Sequence, residues 1–167
     1  MHIFIEAGKL SLDETLTVEE KQLDKDFGSL WRAGAGGKRT VRELMALILQ
    51  ESDNTAFNVL HERVNVQLLQ DRPDGDQAID DVYDYLDIPR ALDGETPMIT
   101  PKNFSSILKS LYFSAYLSYE HSNDILTLLT AGHTQEWLRQ NIPADIHIAD
   151  KIGVYDSEPK AMQVHTD

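Results

Sequence analysis

The run from Thr40 to Leu49 constrains the fold of this sequence more than any other stretch. Thr40-Val41-Arg42-Glu43 is a capping box, in which the threonine hydroxyl and the glutamate carboxylate each satisfy the other residue's backbone amide at a helix start. Val41, Leu44, Met45, Ile48 and Leu49 then fall at i, i+3, i+4, i+7 and i+8, one continuous apolar stripe. A stripe of that width needs a core to pack on, and the spacing predicts a helix running to Gln50 at the centre of the fold. With 167 residues and 41% hydrophobic content, the chain can build such a core as one domain over residues 1–167.

Helix signals dominate the rest. Residues 2–8 read as the end of a helix closed by Gly8, and Leu10, Leu12 and Leu16 as apolar anchors of a loop. Ala33-Gly34-Ala35-Gly36-Gly37 is a turn. A break at Glu51-Ser52-Asp53-Asn54 precedes a second helix with Ala56, Phe57, Leu60 and Val64 on its apolar face. A short helix is predicted over residues 78–86. Thr100-Pro101 is an N-cap followed by proline at the first helical position, and Phe104, Ile107, Leu108 and Leu111 continue that helix. Ser118 caps another helix carrying Ile125, Leu126, Leu128 and Leu129, and a further short one is predicted over residues 135–140. Only near the end does the period change. Ile146, Ile148 and Asp150 alternate with His147 and Ala149, which predicts one strand over residues 146–152, with no partner strand in view.

Charge narrows the function classes. Lys+Arg total 15 against Asp+Glu 28, a formal −13, which argues against unaided binding to nucleic acid or to an anionic membrane. Nine carboxylates and only two arginines, Arg72 and Arg90, lie between Asp71 and Glu95, a pattern that reads as a solvated surface segment. With no cysteine there is no disulfide, thiol catalyst or zinc-thiolate site, and either redox compartment stays open. No run approaches the roughly 20 apolar residues of a membrane span, and the opening MHIFIEAGKL lacks the form of a signal peptide.

Two short motifs can carry chemistry. Ser52-Asp53-Asn54 sits between two helices, where a hydroxyl and an amide can face a cleft while Asp53 ties down the backbone; the same residues also serve as ordinary helix caps. Lys151-Ile152-Gly153 places a cation on the last strand and a glycine that lets a ligand lie against the backbone, or else a surface lysine and a turn. Other chemistries fail on particular residues. Gly36-Gly37-Lys38 resembles a phosphate loop, but Arg39 stands where Ser or Thr is needed and Arg32 where the first glycine is needed. Asp74 and Asp76 begin a calcium-like alternation that Ala78 breaks. The six histidines form no His-Glu-x-x-His pair, and no Gly-x-Ser-x-Gly elbow occurs.

Taken in order, these segments resemble the class A β-lactamase and penicillin-binding superfamily. Glu6-Ala7-Gly8-Lys9-Leu10-Ser11-Leu12-Asp13-Glu14 is similar to the stretch after that family's nucleophile helix. Thr40 to Leu44 and Ser52 to Ala56 are similar to its next helix pair, and Ile99-Thr100-Pro101 and Ala149-Asp150-Lys151-Ile152-Gly153 correspond further on. The resemblance implies an α-rich fragment of an α+β sandwich of the β-lactamase/transpeptidase type, mostly helices plus a C-terminal strand. It implies a serine hydrolase that acts on β-lactams or peptidoglycan-like peptides through an acyl-serine, outside the cytoplasm, with no cofactor and no metal. Ser52 would relay a proton to the leaving nitrogen, Lys151 would hold the substrate carboxylate and polarise Ser52, Asn54 would bond the substrate's acylamide, and Gly153 would leave room at the strand edge.

The sequence departs from that pattern in three places. The family's Ser-x-x-Lys lies at the start of the nucleophile helix, and this sequence begins after that point; Ser106-Ile107-Leu108-Lys109 has the spacing but follows Ser52, on the wrong helix. The deacylating Glu-x-x-x-Asn has no counterpart, since Ile99 stands four residues after Glu95, neither Asp84 nor Asp87 restores it, and residues 86–100 are short for the full loop. The sequence also stops at Thr166-Asp167, before the family's remaining strands. The expectation is therefore a chain that keeps the relay and substrate-holding side of a site and is catalytically incomplete alone. The rival expectation is a non-catalytic helical module that uses the same scaffold to bind a peptide or protein.

Overall fold

The computed structural model describes residues 2–71, 100–132, 139–143, 145–151, 153–156 and 162–165. In chain order the elements are α1 (His2–Glu6), β1 (Thr15–Thr17), β2 (Lys38–Thr40), α2 (Val41–Glu51), α3 (Asn54–Asp71), α4 (Pro101–Tyr112), α5 (Tyr119–Thr130), β3 (Gly153–Asp156) and β4 (Met162–His165). Single 3-10 turns cover Glu20–Gln22, Leu30–Ala33 and Arg139–Asn141. The helices form the body, and the strands make two antiparallel ribbons, β1 with β2 and β3 with β4.

Thr40 is where ribbon becomes helix. It pairs with Thr15 as the last residue of β2. Its Oγ1 accepts from the Glu43 amide at 3.2 Å while its own amide donates to Glu43 Oε2 at 2.7 Å, so the capping box forms as the spacing predicts. The stripe then does what its width requires: Val41, Leu44 and Met45 are buried, and Ile48 packs against them. Helix α2 rests on α3 and α5, and α4 rests on α5. Ala56, Val59 and Leu60 close the core from α3, with Leu10, Val18 and Leu30 inserted from the loops. Complete burial of Leu44 and of Leu60 contributes about 1.5–3 kcal/mol each.

Local punctuation also falls as predicted. Gly8, at φ +68°, ends α1. Thr100 and Ser118 cap α4 and α5 by accepting from the amides of Asn103 and His121. Helix α2 extends one residue past Gln50, to Glu51.

One element differs from expectation. Residues 147–150 lie outside any strand, and among the described residues the ladder begins at Gly153, which pairs with His165. Over residues 146–150 the chain instead descends from surface to interior: His147 is exposed, Ile148 and Ala149 are half-buried and Asp150 is buried. Lys151 therefore precedes the strand. Nor is the strand alone, since Met162–His165 supplies its partner. The helix expected over 78–86 and the acidic segment beyond Asp71 lie outside the described residues, and of the helix expected over 135–140 only the 3-10 turn at Arg139–Asn141 is described. Among the described residues, no helix is long and apolar enough to cross a membrane.

Candidate active site

The junction between α2 and α3 is built around one carboxylate. Asp53 is 1% exposed, and its Oδ2 accepts from the amides of Ser29 at 2.7 Å and Leu30 at 2.8 Å. Its Oδ1 accepts from the Ala56 amide at 2.8 Å, an N-cap bond at the start of α3. An ionised carboxylate can accept all three, and such charge-assisted bonds are the strong class. Gly28 makes the approach feasible. At φ +90° it sits in the left-handed region, and a Cβ there would lie 2.2 Å from Asp53 Oδ2.

With Asp53 turned inward, Ser52 takes a left-handed backbone of its own, φ 54° and ψ 37°, and its amide closes the end of α2 on Ile48 O at 3.1 Å. Ser29 adds a second tie, its Oγ donating to Glu51 Oε2 at 2.6 Å. On the α3 side, the Asn54 amide donates to Phe27 O at 3.2 Å, and Asn54 Nδ2 donates to Asp24 Oδ1 at 3.2 Å. Thr55 Oγ1 accepts from the Asp24 amide at 2.9 Å and donates to Asp24 O at 3.1 Å. The segment from Asp24 to Leu30 is thus stitched along the whole Ser-Asp-Asn turn.

Lys151 comes to this turn from the far end of the chain. Its Nζ donates to Ser52 Oγ across 99 residues of sequence. Burial pulls the Lys151 ammonium below the ordinary lysine value of 10.5, with the Asp150 carboxylate opposing that shift. Ser52, Asn54 and Lys151 are all half-buried. Gly153 opens β3, two residues beyond Lys151. Of the predicted site residues, the structure joins Ser52 directly to Lys151 and holds Asn54 two residues away on the same turn. Ser106 lies on α4, where its Oγ donates to Lys102 O at 3.2 Å, and among the described residues it forms no dyad of that kind.

Chemically, a hydroxyl bonded to a lysine whose proton is held less tightly than usual can pass that proton toward a leaving group and recover it. The sequence reading missed the parts that set this geometry: Asp24, Gly28, Ser29 and Glu51. Glu51 stood out only as the start of the break before Ser52, and nothing in the sequence marked Asp24, Gly28 or Ser29.

Comparison with known proteins agrees with this architecture. The description of the Beta-lactamase enzyme family matches residues 4–167. The chain belongs to that family. Class A enzymes and a penicillin-binding protein share the β-lactamase-like fold. An ancestral class A β-lactamase is 25% identical over 91% of this chain and 60% of its own, with a TM-score of 0.73. A β-lactamase from Sphaerobacter thermophilus is 22% identical over 90% of this chain and 58% of its own, at 0.74. A variant of PBP-A, described as an acyl-enzyme complex with penicillin G, is 18% identical over 90% of this chain and 56% of its own, at 0.72. The chain therefore spans under two thirds of these structures. No curated protein matches it.

Proposed function

We propose that this β-lactamase-family chain carries the proton-relay and ligand-holding side of a serine hydrolase acting on β-lactams or peptidoglycan-type peptides through an acyl-serine. The observation that carries the reading is the hydrogen bond from Lys151 Nζ to Ser52 Oγ, which unites two motifs 99 residues apart. In this reading Lys151 attracts the ligand carboxylate and lends its proton to Ser52. Ser52 passes that proton to the departing amide nitrogen, which is a poor leaving group until protonated. Asn54 bonds the ligand's acylamide, and Gly153 keeps the strand edge open. Lowering the lysine's proton affinity brings donor and acceptor closer in pKa, which favours such a relay.

The same reading assigns acylation to a Ser-x-x-Lys serine, and no such motif precedes Ser52 in these 167 residues. It also assigns the protein to the cell envelope, where such ligands occur. The 167 residues alone are then expected to bind benzylpenicillin reversibly and to acquire no covalent label from a fluorescent penicillin. Binding followed by NMR should shift the Ser52 and Lys151 signals, and Lys151→Ala should abolish it. A label that survives denaturation would show that a serine in this chain, Ser106 first, is nucleophilic. Failure of the wild-type chain to bind either benzylpenicillin or a D-alanyl-D-alanine peptide would overturn the hydrolase reading in favour of a non-catalytic module.

A further inference from the structure

We infer that Asp24 is a positioning residue for Asn54, and that it sets the preference of this site for ligands carrying an acylamide side chain. The inference rests on the function proposed above. An asparagine amide presents a carbonyl on one side and an NH2 on the other, and a half-buried amide without a fixed neighbour can turn over and offer a ligand either one. Asp24 removes that choice. Its carboxylate accepts and does not donate, so the atom of Asn54 that faces Asp24 Oδ1 at 3.2 Å must be Nδ2. One N–H of Asn54 is then spent on Asp24, and the second remains to donate to a ligand carbonyl.

Asp24 is itself held. Its Oδ1 also accepts from the Asp26 amide at 2.9 Å, and its backbone is bonded in both directions to Thr55 Oγ1, at 2.9 and 3.1 Å. Thr55 is fully buried on α3, one residue after Asn54. Orienter and oriented residue therefore hang from the same helix start, and the carboxylate cannot swing away without breaking its bond to the Asp26 amide. The two backbone bonds to Thr55 need no Asp24 side chain, so a variant there keeps the attachment of this segment while losing the carboxylate.

Two measurements on the full chain test the inference, using Asp24→Ala and Asp24→Asn. The first needs no ligand: the Asn54 side-chain NH2 pair, observed by NMR, should be resolved in the wild type and in Asp24→Asn, where the Asp26 amide holds the side-chain oxygen in the place of Oδ1, and should collapse toward free-amide values in Asp24→Ala. The second compares affinity for benzylpenicillin, which has an acylamide, with affinity for 6-aminopenicillanic acid, which lacks it. Asp24→Ala should lower that ratio roughly five- to tenfold, while Asp24→Asn retains most of it. An Asn54 NH2 signal indifferent to Asp24→Ala would overturn the inference, as would an unchanged ratio in a folded Asp24→Ala chain. If the NH2 signal responds as expected and neither compound binds the wild type, the proposed function falls and takes the ligand preference with it; the two failures are thereby told apart.

Discussion

Asp53 meets three backbone amides, those of Leu30 and Ala56 buried and that of Ser29 half-buried, so its loss should cost far more than an average substitution. Asp53→Ala is expected to lower stability by about 3 kcal/mol or more, and Tm by on the order of 10 °C. Gly28→Ala should be comparably damaging, because the added methyl would meet the same carboxylate. Thermal unfolding of the two variants checks this, and a Gly28→Ala chain that melts with the wild type would refute the close packing. Lys151 carries a pH prediction. A carboxylate ligand needs the ammonium form, so affinity should fall as pH rises through a value below 10.5, the direction in which burial moves this lysine. A titration with benzylpenicillin whose alkaline limb stays at 10.5 or above would contradict the burial described for it. Ser52, Asn54 and Lys151 were legible in the sequence because their residue types and order are distinctive. Asp24 and Gly28 were not, because a carboxylate or a glycine in a loop acquires meaning only from what folds against it.

Helix α2 was the most legible element, since its cap, period and burial all require one another. Thr40→Ala removes the acceptor for the Glu43 amide and loosens the reciprocal bond, and should cost about 1 kcal/mol by denaturant titration. A variant with unchanged midpoint would mean that ribbon pairing with Thr15, rather than the cap, fixes the helix start. Strand β3 was legible in kind and misplaced in position. Residues 146–150 alternate in type without alternating in exposure, because burial deepens steadily from His147 to Asp150 as the chain enters the interior. Hydrogen bonding depends on a partner, and here the partner lies at Met162–His165, beyond the alternating stretch.

Across the molecule, the chain's first helix is fastened to its second half by groups that respond to acid. Glu6 Oε1 accepts from the Ser118 amide at 2.7 Å and lies 2.9 Å from His121 Nδ1, while the His2 ring stands 5.0 Å from that of His121. Burial, then the neighbouring His121, pulls His2 from 6.5 down to about 4, against the weaker opposing pull of Asp124 and Glu6. The Ser118 bonds, then His121, pull Glu6 from 4.5 down to about 2. Between pH 6.5 and 4 the unfolded chain takes up a proton at His2 that the folded chain refuses, so this contribution is complete above 6.5 and is lost as pH falls toward 4. The Glu6 contribution is complete above 4.5 and fades toward 2. Melting curves should show Tm declining through the upper window, and His2→Leu should flatten that decline; an unchanged slope would locate the acid sensitivity elsewhere.

The left-handed backbone at Ser52 has a consequence on an evolutionary timescale. A serine at φ 54° is held there at a cost that glycine would not incur, and what its side chain returns is the bond its Oγ accepts from Lys151. In lineages that no longer need the hydroxyl, selection for stability alone would favour Ser52→Gly early and leave Asp53 and Gly28 in place. Where serine is retained at this position, Lys151 is therefore expected to be retained with it.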